Sequence, residues 1–264
     1  MTARPVARSY QTVLARIEAD LAGGRLQVGG RLPGERVLAE RYGVSRASVR
    51  EAIRVLEAMG LIRTAAGSGP EAGAILISDP AAPIGAALRW HLASRHLPVG
   101  DLVATRVLIE SWALREAATA QAIALGTAQA LDLGPARTLL SAMDAPELGA
   151  TEFLALDTRF HVELARLAGN VVITAIMSAM REGIESYVTQ AVAALPPAPD
   201  KDSLPASGPS SRGRDDGPGW PEMAGLLRTQ HTGMLDAVAA GNPVVAAELV
   251  AAHIEGFYRA TGVG

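Results

Sequence analysis

The sequence predicts a mainly α protein: an N-terminal winged helix-turn-helix followed by an all-α antiparallel helical bundle. Three observations carry this. Residues 31–62, RLPGERVLAERYGVSRASVREAIRVLEAMGLI, hold two short helical patterns joined by the turn Tyr42-Gly43-Val44-Ser45. Two short β-favouring runs, Leu61-Ile62 and Ala74-Ile75-Leu76-Ile77, flank the flexible tip Ala66-Gly67-Ser68-Gly69-Pro70. Everything after about residue 84 reads as helix, with Ala and Leu supplying most of the apolar surface.

Each element has a local cause. Residues 9–22 place Val13, Leu14, Ile17 and Leu21 on one face, and Gly23-Gly24 ends that helix. Val28-Gly29-Gly30 makes a turn, and Pro33 sits near the start of a helix at about 34–42. The next helix, about 45–59, opens on a Ser45 cap. Its core stripe is Val49, Ile53 and Leu56, with Met59 at the end and Gly60 as the stop. Asp79-Pro80-Ala81-Ala82-Pro83 reads as a linker. Helices follow at about 84–96, 99–124, 127–142, 150–168, 171–194, 221–240 and 243–260, punctuated by Gly126, Gly169-Asn170 and Gly241-Asn242-Pro243. Asn170 is expected to cap a helix. Residues 195–221 are rich in Pro, Gly, Ser and Asp and read as a disordered loop between bundle helices. The expected organisation is therefore 1–79, winged helix-turn-helix; 80–98, linker and connecting helix; and 99–264, helical effector-binding and dimerisation domain.

Bulk composition narrows the function. The net charge of the 264 residues is −3, which taken whole disfavours a nucleic-acid partner. Its distribution reverses that: residues 1–80 carry a net +3 and the remainder −6. A basic head on an acidic body is expected where only the head meets phosphates. There is no cysteine, which excludes disulfides and thiolate metal ligands. The N-terminal stretch MTARPVARSY lacks an apolar segment of the secretory kind, and no run approaches the roughly 18 apolar residues of a membrane span. The expectation is a cytoplasmic, nucleoid-associated protein with no membrane partner.

The helix at 45–59 is built to read DNA. Arg46 and Arg50 are four residues apart and share a face. Ser45 and Ser48 can reach phosphates or base edges, and Ala47 is small enough to meet a thymine methyl. Arg36, at the opening of the preceding helix, can meet a phosphate or a guanine. The alternative is a solvated Arg-rich helix in some other small domain, which the turn and the wing argue against.

The bundle holds a second constellation. Asp157 and His161 are four apart in LALDTRFHVELARLAGN, so both project from one helical face. His231 and His253 each lie about ten residues from the Gly241-Asn242-Pro243 turn, on opposite sides, and can face each other across that hairpin. One Asp and three His give O/N ligation suited to Zn²⁺, Ni²⁺ or Mn²⁺. Spacing alone leaves this level with the alternative that the histidines are satisfied polar residues of a bundle. Arg106, in DLVATRVLIESWALREAA, lies on an inward stripe. An intra-bundle salt bridge to Glu110 and a clamp for an effector carboxylate both fit it.

The motifs RLPGER, LAERYGVSR and VREAIRVLEAMGLI, within GRLQVGGRLPGERVLAERYGVSRASVREAIRVLEAMGLI, resemble the N-terminal domain of the GntR family of bacterial transcription regulators. The resemblance implies DNA contacts by Arg36, Arg46 and Arg50, with Ser45, Ala47 and Ser48 near the bases and the wing tip, Gly67, Ser68 and Gly69, near the minor groove. The wing departs from the family pattern. Family wings often carry a basic residue among the glycines, whereas this one reads AAGSGPEAG, with Glu71 nearby, so backbone amides would have to meet the phosphates. Residues about 99–261, through FHVELARLAGN and HTGMLDAVAAGN, resemble the FCD effector-binding domain of the FadR subfamily. In its metal-binding branch the implied ligands are Asp157, His161, His231 and His253, with Arg106 as the effector clamp.

The combined expectation is a homodimeric transcription regulator, a repressor, bound to a palindromic operator in double-stranded DNA. A small carboxylate effector at a divalent metal (Zn, Ni or Mn) would modulate it. Two rivals are weighed. One is a metal-free pocket for a larger, acyl-type effector. The other is a metal-dependent enzyme fused to a DNA-binding head, with Glu163 or Glu152 as its general base.

Overall fold

The computed structural model describes residues 9–65, 73–94, 97–125, 130–145, 148–195 and 219–262. These form helices α1 (Ser9–Ala22), α2 (Glu35–Tyr42) and α3 (Arg46–Ala58), strands β1 (Ile62–Ala65) and β2 (Gly73–Leu76), and helices α4 (Ala81–Ala93), α5 (Val99–Leu125), α6 (Gly134–Met143), α7 (Ala150–Leu167), α8 (Val171–Ala193), α9 (Trp220–Ala239) and α10 (Pro243–Thr261). The chain divides into two compact units, Met1–Pro83 and Ile84–Gly264.

In the first unit, Val13 and Ile17 of α1, Leu38 of α2, Val49 and Leu56 of α3, Ile62 of β1 and Leu76 of β2 are buried in one core. Each such side chain stabilises the fold by about 1.5–3 kcal/mol. Gly43 takes a left-handed conformation (φ 67°) at the end of α2, and its N–H bonds back to Ala39. Ser45 then caps α3 by accepting from the Ser48 amide. The apolar stripe of α3 is shorter than its sequence suggests. Ile53 is only half-buried, and Met59, just beyond the last helical residue, is exposed. Strands β1 and β2 pair antiparallel with Ile62 opposite Leu76, and Arg31 bridges to Ile75. Gly60 (φ 68°) turns the chain between α3 and β1, and a Cβ there would stand 2.0 Å from the Asp79 carbonyl oxygen.

The second unit is helical throughout its described residues. Its main core gathers Leu114, Met143, Phe153, Phe160, Leu164 and Val250, among others. Helix α5 packs most extensively along α10, α7 lies between α6 and α8, and α9 pairs with α10. The α9–α10 turn is pinned: a Cβ on Gly241 (φ 64°) would meet Ala122 of α5 at 2.8 Å. Asn242 caps α10 through the Val245 amide, and Asn170 caps α8 through the amides of Val172 and Ile173.

Two boundaries differ from the sequence reading. The sequence places residues 81–83 in a linker, whereas α4 already starts at Ala81, because Pro83 falls in a first turn that tolerates a missing N–H. Helix α6 starts at Gly134 rather than near 127, where Asp132 accepts the Gly134 amide and Pro135 sits in the first turn. Of the stretch 195–221, residues 196–218 lie outside the described residues, and Trp220 and Pro221 open α9.

Candidate metal centre and nucleic-acid interface

On α3, Ser45, Arg46, Ala47 and Arg50 are exposed, and so is Arg54 one turn further on. Ser48 faces inward: it is 7% exposed, with its hydroxyl 2.6 Å from that of Ser9 and 2.8 Å from that of Ser45. Its hydroxyl therefore serves the packing of α1 on α3, not a groove. Arg50 makes a two-point contact with Glu35 of α2, at 3.1 and 2.9 Å, and Arg46 lies 3.9 Å from the same carboxylate. The Arg50 hydrogen bond is the main reason that Glu35 is held below the usual carboxylate range. Arg36 is exposed and pairs with Glu40 at 2.9 Å. Gly67, Ser68 and Gly69 lie outside the described residues. Sequence reasoning does not single out Glu35, which meets Arg50 only once α2 and α3 pack.

In the bundle, α7 supplies Asp157 and His161, α9 supplies His231 and α10 supplies His253. All four are buried, and one ligand atom from each lies within 4.8 Å of the others. His231 Nε2 stands 2.9 Å and His161 Nε2 3.5 Å from Asp157 Oδ1. The Nε2 atoms of His161 and His253 are 3.2 Å apart.

Outer partners fix how these groups point. Nδ1 of His161 donates to Glu110 Oε2 at 2.5 Å, and Nδ1 of His253 donates to Gln230 Oε1 at 2.9 Å. Both acceptors force the proton onto Nδ1, so in the neutral rings the Nε2 lone pairs face each other. Among polar groups, buried His231 meets only Asp157, through Nε2, and its buried Nδ1 has no partner. Two converging imidazole lone pairs beside a carboxylate oxygen and a third imidazole form an unfavourable arrangement in a dry interior unless a cation binds there. The donor set thus fits a borderline divalent ion, and the acceptors on Nδ1 are the outer shell that such sites use.

The electrostatics agree. Burial alone would raise the Asp157 pKa, but Arg181, with Nη2 at 2.5 Å, and then His161 outweigh it and hold the carboxylate charged. Burial works in the same sense on Glu110, and Arg106 and His161 overcome it. Burial pushes His231 and His253 down from the ordinary imidazole value, toward the neutral form that can ligate.

Arg106 is buried. Its Nε donates to Glu110 Oε1 and its Nη1 to the Tyr258 hydroxyl, both at 2.8 Å. It also borders a small cavity of about 20 Å³ with Asp157, Arg181, His253 and Tyr258. Glu163 is half-buried and pairs with Arg166, and Glu152 is exposed. The carboxylate that does reach the centre besides Asp157 is Glu110. Sequence reasoning missed Glu110 in this role, as well as Arg181, Gln230 and Tyr258. Glu110 was visible only as an i+4 partner for Arg106, and the others carried no pattern. On the far side of the centre, Phe153 stacks on His231 (centroids 6.2 Å) and takes the edge of buried Trp220 (5.2 Å).

Two family models match the chain: that of the bacterial regulatory proteins of the gntR family over residues 9–70, and the FCD domain over 101–205. The FCD match ends before α9 and α10, which carry two of the three histidines. The Glc operon transcriptional activator of Escherichia coli K12 is 28% identical over 176 residues, covering 65% of each chain. The Uxu operon regulator of Haemophilus influenzae is 39% identical over 64 residues, 24% of each chain. A Mycobacterium gastri relative is 29% identical over 161 residues, 61% of this chain and 55% of its own. The chain thus spans between half and two-thirds of the length of the curated relatives that it matches most fully. A GntR protein of Streptococcus agalactiae shares the fold, with a TM-score of 0.62, 22% identity and coverage of 96% and 99% of the two chains. The chain belongs to the GntR family and carries an FCD domain.

Proposed function

We propose that this chain is a ligand-responsive transcription regulator of the FadR subfamily, the GntR-plus-FCD type. It acts as a homodimeric repressor on a palindromic operator and is modulated by a small carboxylic acid held at a divalent metal in the bundle. The observation that carries the sensor reading is the buried convergence of Asp157, His161, His231 and His253, with the Nε2 atoms of His161 and His253 3.2 Å apart. The exposed face of α3 supports the DNA reading. Arg46 and Arg50 are its basic contacts, Ser45 and Ala47 lie beside them and Arg36 lies on α2; Ser48 drops out because it is buried. Two copies would set two recognition helices about one helical turn apart.

A bound Zn²⁺, Ni²⁺ or Mn²⁺ would supply two positive charges and a position for a carboxylate oxygen. The chain's own groups then orient the acid from the cavity wall, with Arg106 beside it. The cavities next to the centre are each about 20 Å³, so either effector must displace side chains, and a short acid displaces fewer than an acyl chain. The relatives are regulators, and neither Glu163, paired with Arg166, nor exposed Glu152 belongs to the buried cluster, which disfavours the enzymatic alternative. No helix among the described residues is long and apolar enough to cross a membrane, consistent with the cytoplasmic, nucleoid-bound placement proposed here.

The test is a thermal-melt matrix: protein stripped with chelator or loaded with each divalent metal, against a panel of mono- and dicarboxylic acids. A ligand selective for the native state raises the melting point. Stabilisation by one acid, only in the metal-loaded protein, is the expected result. A melt indifferent to chelator and to every acid overturns the sensor reading. Selection of bound duplexes from a random pool tests the DNA reading separately, and failure to enrich a two-fold-related sequence overturns it.

A further inference from the structure

We infer that the metal ion enters and leaves the bundle centre along the seam between α7 and α8, and that Thr158, at the threshold of that seam, sets the rate of exchange. This rests on reading the centre as a metal site.

The four ligand residues are all buried, so an ion that exchanges with the medium must pass between side chains. Three hollows joined by shared walls lead outward. The innermost, of about 20 Å³, touches the centre at Asp157 and His253, and none of its walls is an exposed residue. The next, also of about 20 Å³, shares Leu154, Asp157, Arg181 and Val188 with the first and adds half-buried Thr158 and exposed Glu185. The third is an open groove of about 560 Å³ across α6, α7 and α8, and Thr158 lines it too. Thr158 therefore stands between the groove and the inner spaces. A separate groove of about 500 Å³ at Trp90 and Tyr187 shares no wall with either small cavity.

The side chains along the seam differ in how readily they yield. Each small cavity is room for about one water, so an ion passes only after shedding most of its hydration shell and only as a wall moves. Arg181 is the wall able to move. It is held through Nη2 alone, which donates to the carbonyl oxygen and to Oδ2 of Asp157, and its buried Nε has no partner. Its guanidinium can swing about that one nitrogen without breaking a second anchor, which widens the partition between the two small cavities. Thr158 is short, β-branched and stiff at χ1. It does not swing, so its size fixes the width of the threshold.

The mouth suits a cation. The exposed or half-buried charged side chains that line the groove and the seam are Glu163, Glu182, Glu185 and Arg159. Arg166 offsets Glu163, which leaves Glu182 and Glu185 against Arg159. This slight negative excess draws a cation inward, and steering of that kind is a rate effect that salt removes.

The test is stopped-flow kinetics on the full chain after stripping with chelator. Zn²⁺ uptake is followed with a competing zinc-sensitive dye, and release by mixing with excess chelator, for the natural chain, Thr158→Phe, Thr158→Ser and Glu185→Lys. Thr158→Phe should slow uptake and release by the same factor, at least about tenfold, and leave the affinity unchanged, because a narrowed path raises a barrier and not an end state. Thr158→Ser should exchange at least as fast as the natural chain. Glu185→Lys, at an exposed position, should slow uptake at low salt and match the natural chain at high salt. Natural rates in Thr158→Phe, or a weakened affinity with an unchanged uptake rate, overturn the inference and leave the metal centre standing. Where Thr158→Phe does not fold, Glu185→Lys decides, and a natural uptake rate at low salt overturns the inference. Failure of the natural chain to take up Zn²⁺ overturns the underlying reading instead.

Discussion

At the scale of single residues, Glu110 connects the two halves of the bundle centre. One of its oxygens takes the His161 proton and the other holds Arg106. Glu110→Gln cannot accept both charge-assisted bonds, and loss of such an outer partner typically lowers metal affinity about 10–100-fold. Competition with a chelating dye would measure it, and unchanged affinity would show that Glu110 does not orient His161. His253→Ala should lower metal stoichiometry outright; full occupancy would mean that the ligand set is misassigned. On the DNA side, Arg46→Ala should abolish specific binding with the fold intact, visible in a gel-shift titration and in unchanged circular dichroism. Unchanged operator affinity would remove Arg46 from the interface. Asp157 with His161 could be read from i, i+4 spacing, and His231 with His253 from their places about a hairpin. Arg181 could not, since an arginine 24 residues away on another helix meets Asp157 only once α7 and α8 pack.

At the scale of elements, the turns set the tolerances. Gly43 and Gly60 both sit at left-handed φ, but a Cβ meets nothing at Gly43 and collides with the Asp79 carbonyl at Gly60. Gly43→Ala should therefore cost about the 1–2 kcal/mol of the backbone conformation, and Gly60→Ala clearly more. Urea unfolding of the two variants decides it; equal losses would mean that the 60–79 contact yields freely. Sequence marked both glycines as stops, but crowding depends on which strand returns alongside.

The α1–α2 contact should be acid-sensitive. The Tyr42 hydroxyl and the Arg25 guanidinium, each donating at 2.7 Å, hold Asp20 below its ordinary value of 3.8. Because the folded value is the lower one, this stabilisation is present above about pH 4 and is lost as pH falls through the depressed folded value. Tyr42 gives the opposite limb: burial first, then Asp20, raises it to about 12, so its contribution holds below pH 10 and is lost as pH rises toward 12. Asp20→Asn should flatten the acid limb, read by hydrogen exchange of the α1 amides. An unchanged limb would place the acid sensitivity elsewhere.

At the scale of the whole molecule, the prediction is linkage. Metal at 100 times its dissociation constant should stabilise the bundle by about 2.7 kcal/mol, a gain that chelator reverses. If an acid at the centre changes operator affinity, operator DNA must change acid affinity by the same factor. Titrating the acid with and without operator duplex checks this, and unequal factors would show that the two measurements report different equilibria. The two-unit division, the helical bundle and the reading helix were legible because periodicity, caps and punctuation are local. The small cavities beside the centre and the inward turn of Ser48 were not, because they depend on how separate helices fit together.

Trp220 makes the centre observable without a label. The other two tryptophans, Trp90 and Trp112, are exposed, whereas Trp220 is 3% accessible and touches Phe153, which in turn stacks on His231. Its emission should form a separate, blue-shifted band. A paramagnetic ion such as Ni²⁺ arriving at His231 should dim that band while the two surface tryptophans stay bright, giving an optical titration of the bundle in which the chain serves as its own indicator.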